Sequence, residues 1–176
     1  MKKIITLGGS SSKKSINKQL AEYTGRLLEG VEVINLDLND FDLPLYSIDL
    51  EKERGFSEDL LALNEIIELT DGIILSLAEH NGAYSAAFKN AFDWLSRIDG
   101  KVWKNKPMLL LSSSPGGRGG QSVMDIARSR FPFNGGNIVG SMTFPFFHDN
   151  FKDGEVVNAS LKDKLLDLSK ELMNTI

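Results

Sequence analysis

The chain has 176 residues, a net charge of −4, 41% hydrophobic and 25% charged side chains, and no cysteine. These values fit one globular domain over residues 1–176 and argue against disorder and against a basic surface for nucleic acid or anionic lipid. The lack of cysteine excludes disulfides, thiolate zinc sites and a thiol nucleophile, and the longest apolar runs, 73–77 and 108–111, are too short to span a bilayer. The expectation is a cytoplasmic protein that engages neither nucleic acid nor membrane.

Residues 1–7 begin like a signal peptide, but the apolar stretch stops at Gly8 and gives way to serines and lysines. They read as a first strand, centred on 4–7. Helical spacing follows over 15–29, and a strand at 31–36 leads into a long connection at 37–55 that carries Leu43-Pro44-Leu45-Tyr46. Next come a helix at 57–70, a strand at 72–77, a helix at 84–97, a strand at 107–111, a helix at 120–131 and a strand at 137–140. The last helix, 160–173, carries Leu161, Leu165, Leu168 and Leu172 as one stripe. Strand and helix alternate throughout, which implies a parallel sheet covered on both faces. Five strands suit a flavodoxin-like α/β three-layer sandwich with sheet order 2-1-3-4-5 better than a six-stranded Rossmann order.

In such a sheet, ligands bind beyond the carboxyl ends of the strands near the switch in strand order. The loops after strands one, three and four are therefore the candidates. The first runs Gly8-Gly9-Ser10-Ser11-Ser12-Lys13-Lys14-Ser15-Ile16-Asn17. It lacks the spacing of a dinucleotide or P-loop motif and offers hydroxyls and amides at a helix start, which suit a phosphate monoester. Serines there also serve as plain helix caps, but Lys13, Lys14 and Lys18 crowd the positive end of the helix dipole, which favours an anion site.

The second loop is Ala78-Glu79-His80-Asn81-Gly82-Ala83-Tyr84-Ser85. It reads either as main-chain groups presented to the edge of a heterocycle or as an ordinary strand-to-helix turn. With two histidines in the chain no metal triad is expected, and Phe92 and Trp94 belong to the core. The third loop, Ser112-Ser113-Ser114-Pro115-Gly116-Gly117-Arg118-Gly119-Gly120, has more glycines than a turn needs, which suggests a flat ligand passing close to the backbone. Arg118 either reaches a phosphate or is solvated.

Taken together, the three loops resemble those of the NADPH-dependent FMN reductase family, which includes flavodoxin-like quinone, azo-dye and chromate reductases. The family's G-S-x-R-x-x-S-x-N is matched over 9–17, its P-E-Y-N-x-S-x-P-x-x-L-K-N-x-x-D-W over 78–94, and its S-x-G-G-x-G-G over 114–120. Ser12 stands where the family has arginine, Ala78 and Ser85 where it has proline, His80 where it has tyrosine and Ala83 where it has serine.

The resemblance implies that Ser10, Ser12, Ser15, Ile16 and Asn17 hold the phosphate of FMN. It also implies that Ala78, Glu79, His80, Asn81 and Gly82 meet the isoalloxazine edge through main-chain groups, with Ser114, Gly116 and Gly117 on the ring's other side. The implied activity passes electrons from NADPH or NADH to a small-molecule acceptor such as a quinone, azo compound, metal ion or free flavin. The chemistry would be the flavin's, so no side chain is assigned as acid or base and no metal is expected. FMN rather than FAD is expected, because no second pyrophosphate cradle is present. A noncatalytic electron carrier and a flavinless binding protein on the same fold are the alternatives. The resemblance further implies a homodimer or homotetramer, with Phe144-Pro145-Phe146-Phe147 and the helix around Phe88, Phe92 and Trp94 serving either as contact surface or as core.

Overall fold

The computed structural model describes residues 1–176. Its apolar runs become β1 (Lys2–Gly9), β2 (Val31–Leu36), β3 (Gly72–His80), a short β4 (Ala83–Tyr84), β5 (Pro107–Ser113) and β6 (Asn137–Phe144). The five long strands are parallel in the order β2-β1-β3-β5-β6. Counting long strands only, this is the expected 2-1-3-4-5 order. The sixth member is an addition: β4 pairs antiparallel with the end of β3.

The period-two geometry of a strand sends successive side chains to opposite faces, and the core divides accordingly. Ile5, Leu7, Ile73, Leu75, Leu77, Met108 and Leu110 pack on one face against α3 (Glu58–Leu69), α4 (Ala86–Ile98) and α5 (Gln121–Arg130). Ile4, Ile74, Leu109 and Leu111 pack on the other against α1 (Ile16–Arg26) and α7 (Ala159–Thr175). Both faces of the central strands are thus covered, as continuous apolar runs require.

The connection at 37–55 is not bare loop. It contains a 3₁₀ turn at Leu38–Asp40 and α2 (Ile48–Arg54), capped by Ser47, whose hydroxyl accepts from Leu50 N–H at 3.1 Å. Asn90 of α4 accepts from Tyr46 N–H at 2.8 Å and donates to the Leu43 and Pro44 carbonyls at 2.9 and 3.1 Å. Trp94 Nε1 donates to the Pro44 carbonyl at 2.7 Å, and Tyr46 Oη and Arg97 Nε reach Glu51 at 2.9 and 2.8 Å. The segment does wrap the surface, and α4 fastens it there.

Past β6 the chain forms α6 (Phe147–Asn150) and a hairpin, β7 (Phe151–Lys152) with β8 (Glu155–Val156). Its turn is Asp153-Gly154, both at positive φ (52° and 82°), the conformation an Asp-Gly pair favours in a two-residue hairpin.

The aromatic residues decide between two readings. Phe88, Phe92 and Trp94 are buried, and Phe88 and Phe92 stack with Trp103 at centroid distances of 6.4 and 5.7 Å. Phe144 and Phe147 are buried as well. These rings are core, not contact surface; within 144–147 the exposed ring is Phe146 alone.

Candidate functional site

The loops after β1, β3 and β5 emerge side by side at the carboxyl edge of the sheet. Gly8 brings α1 close to this edge: a Cβ there would lie 2.6 Å from the Lys18 Cα and N. Ser15 caps α1, accepting from Lys18 N–H at 3.2 Å, so the capping role is real. The Ser15 hydroxyl proton is not used by that bond. The amides of Ile16 and Asn17 find no acceptor in the protein, and the first turn of α1 carries no acidic residue. This is the donor set an anion needs at a helix start.

Two first-loop residues behave differently from expectation. Asn17, 2% exposed, spends its side chain inside the fold. Its Oδ1 accepts from Ser76 Oγ at 2.7 Å and from Ser113 N–H at 2.9 Å, while Nδ2 donates to the Ser113 carbonyl at 3.1 Å. Only its backbone amide remains for a ligand. Lys18 turns away to pair with Asp37, which raises the lysine pKa and lowers that of the aspartate. The positive charge left at the helix start comes from Lys13 and Lys14, neither of which has an ion-pair partner.

In the second loop β3 continues to His80, and Asn81 (φ 52°) and Gly82 (φ 77°) turn the chain into β4. Asn-Gly is a strong hairpin signal, so an ordinary-looking loop is in fact a tight hairpin. The Glu79 side chain crosses to α5, accepting from Val123 N–H at 3.1 Å. Gly120, at the N-cap of α5, supplies no side-chain cap, so the carboxylate fills that role from a neighbouring strand. Ser85 caps α4, accepting from Phe88 N–H at 3.1 Å, and donates to the Gly9 carbonyl at 2.7 Å. The replacement of proline by serine thus ties the second loop to the first. Tyr84 stacks on Phe131 (centroids 6.1 Å apart, planes 6° apart), and burial pushes its phenol up to about 12.

The third loop corrects the glycine argument. A Cβ on Gly117 would meet the Phe146 ring at 2.7 Å, and one on Gly119 (φ 58°) would meet the Phe144 and Pro145 backbone at 2.9 Å. A Cβ on Gly120 (φ 81°) would lie 3.0 Å from the Ser112 Cβ. The protein's own packing therefore accounts for three of the glycines; a Cβ on Gly116 would meet nothing closer than Ser114 Oγ at 4.0 Å. Arg118 donates to Ser122 Oγ at 3.1 Å on the surface.

Ser10, Ser12, Ser15, Ile16, Asn17, Ala78, Glu79, His80 and Ser114 line one cleft of about 250 Å³, together with Lys14, Ser113 and Pro115. Asn81, Gly82, Gly116 and Gly117 lie outside its lining. Lys14 was legible as part of the basic cluster, and Ser113 and Pro115 as members of the third loop. A phosphate monoester fits this donor set. The one carboxylate facing it, Glu79, is held by α5. A larger groove of about 530 Å³ between β6 and α7 receives none of the three loops.

The model of the NADPH-dependent FMN reductase family matches residues 2–150. A quinone reductase of Escherichia coli K12 is 35% identical over 66% of this chain and 62% of its own length. An NADPH azoreductase of Bacillus sp. OY1-2 is 30% identical over 70% of this chain and 65% of its own. The chain thus covers just under two thirds of these relatives. Among solved structures, the flavoenzyme NAD(P)H:(acceptor) oxidoreductase FerB of Paracoccus denitrificans superposes with a TM-score of 0.80 at 27% identity, covering 99% of this chain and 96% of that one. The family match spans β1 to the end of α6 and takes in all three loops, so the chain belongs to the NADPH-dependent FMN reductase family, which uses FMN with NADPH or NADH as electron donor.

Proposed function

We propose that the chain binds FMN in this cleft and acts as an NAD(P)H-dependent oxidoreductase on small-molecule acceptors, with quinones and azo compounds first and metal ions or free flavin as further members of the class. The observation that carries the reading is the acid-free start of α1, with unpartnered amides at Ile16 and Asn17 and with Lys14 beside them. Bound there, FMN supplies hydride acceptance from the nicotinamide and delivery to the acceptor.

The chain's own residues bind and orient. Hydroxyls of Ser10, Ser12 and Ser15 and the Ile16 and Asn17 amides would take the phosphate, with Lys14 in place of the family's arginine for charge. Main-chain groups of 78–82 would meet the ring edge, and Ser114, Gly116 and Gly117 would flank it. A cleft of about 250 Å³ lies just below the ~300–1,000 Å³ of enclosed ligand pockets, so part of a bound flavin would stay open to an acceptor.

A cytoplasmic homodimer or homotetramer belongs to the same proposal. No helix is long and apolar enough to cross a membrane. The test is purification, acid release of the bound flavin, and oxidation of NADPH and NADH with a quinone present. FMN with quinone-dependent turnover supports the reading. Released FAD or a colourless protein refutes flavin binding as described, and FMN without turnover leaves an electron carrier.

A further inference from the structure

We propose that Phe146 is an acceptor-positioning residue, whose ring offers a fixed face on the rim of the cleft for a planar aromatic acceptor to stack on. The proposal rests on the flavin reading above. Three neighbouring phenylalanines have different fates: Phe144 and Phe147 are 0% and 2% exposed, while Phe146 is 49% exposed. Exposure alone marks nothing, since Phe133 is 71% exposed; what singles out Phe146 is that an exposed ring sits on a left-handed backbone, the one aromatic residue of the chain to do so.

The backbone holds the ring out at a cost. Phe146 sits at φ 46°, ψ 55°, left-handed space that bulky side chains avoid, and as N-cap of α6 it makes no side-chain capping bond. Asparagine or glycine would suit the position better on both counts. Strain of this kind survives where the surroundings enforce it, and they do here. Phe146 N–H donates to the Gly116 carbonyl at 3.1 Å, Phe147 N–H to the Ser114 carbonyl at 3.2 Å, and Asn150 Nδ2 to the Pro145 carbonyl at 2.9 Å.

The ring's inner face is also provided for. It lies where a Cβ of residue 117 would be, and glycine leaves that room. Gly116, beside it, is uncrowded, with Ser114 Oγ 4.0 Å from where a Cβ would be, and Ser114 and Pro115 of the same loop line the cleft. The ring is thus packed on the third loop at Gly117, two residues beyond Pro115 of the cleft lining, and about half of the residue stays open to solvent. Offset stacking on such a face selects flat aromatic molecules over compact ions.

The test compares wild type with Phe146→Asn, which relieves the backbone and caps α6, and with Phe146→Tyr, which keeps the aromatic face. Menadione and ferricyanide serve as acceptors, and binding of fluorescent, redox-inert 2-naphthol is titrated separately. Phe146→Asn is expected to raise the KM for menadione about tenfold at unchanged kcat, in line with loss of one aromatic contact. Naphthol affinity should fall in parallel, with ferricyanide turnover, FMN content and sedimentation unchanged and Phe146→Tyr restoring both losses. Unaltered menadione KM and naphthol affinity would overturn the proposal. So would an equal loss with ferricyanide, or a shift in sedimentation marking the ring as a contact between copies. Naphthol binding needs no flavin, so a wild type without FMN would defeat the functional reading while this assay still judges Phe146.

Discussion

Two asparagines hold two regions of this molecule, and they leave opposite residues of bonding capacity behind. Asn17 pairs both the N–H and the C=O of Ser113 with its side-chain amide, as a neighbouring strand would. That bond set fixes the first loop to β3 and β5 while the Ile16 and Asn17 amides still point outward unused. Asn90 likewise grips both donors and acceptors of the crossover, at Tyr46, Leu43 and Pro44. There Trp94, Tyr46 and Arg97 use up much of what remains. One region is built with donors to spare and the other is closed on itself. Spare, pre-aimed donors are what distinguish a binding site from a well-made surface.

The sharpest way to break this comparison is Ser15→Asp. As a helix cap, aspartate equals serine and suits the dipole, so circular dichroism should show an unchanged fold. Beside a phosphate, the new carboxylate repels by about 4 kcal/mol at ~4 Å and an effective dielectric near 20, about a thousandfold in FMN affinity. Wild-type FMN affinity in this variant would mean that the phosphate lies elsewhere.

Matched truncations come next. Asn17→Ala strands Ser113 N–H, its carbonyl and Ser76 Oγ in the interior and should cost about 3 kcal/mol in urea unfolding of flavin-free protein. Asn90→Ala, at a half-buried position of α4 that water can reach, should cost about 1–2 kcal/mol and leave FMN affinity as it was. If Asn90→Ala also weakens FMN binding, the two regions are coupled and the contrast fails.

The smallest expected effect is acid loosening of the crossover. The Arg97 guanidinium, and after it the Tyr46 hydroxyl, hold the Glu51 carboxyl below its ordinary value of 4.5. A depressed folded pKa contributes stability in full above 4.5, and that contribution is lost as pH falls through the folded value. Tryptophan fluorescence of Trp94 should therefore change in that window, and Arg97→Gln should shrink the step; a step of unchanged size in Arg97→Gln assigns it to another group.

What the sequence carries of this molecule follows the length of each signal. Strands and helices with several apolar repeats are legible: β3 and β5 show the continuous apolar run that burial on both faces leaves, and β2, an edge strand with Glu32 and Asn35 exposed, is found with its bounds from its β-branched residues. β4, β7 and β8 have two residues each, too few for any periodicity. Their turns, Asn81-Gly82 and Asp153-Gly154, nevertheless carry the hairpin dipeptides. In the site, residue types are legible and their partners are not. Asn17 and Lys18 look like ligands in a list of polar residues, but one serves as a strut and the other as half of an ion pair. Gly117 looks like room for a ligand and is room for Phe146.

The strut also sets an order of events during synthesis. Asn17 finds Ser76 59 residues later and Ser113 96 residues later. At a ribosomal pace of about 5–20 residues per second, the second partner follows roughly 5–20 seconds after the first loop has been made. Until β5 has left the ribosome and joined the sheet, the loop has only its local bonds and the Ser76 hydroxyl to set its shape, and the two Asn17 bonds to Ser113 are missing. The proposed anion site is therefore finished by residues translated last among its parts, and a nascent chain arrested before β5 should have no place for a flavin.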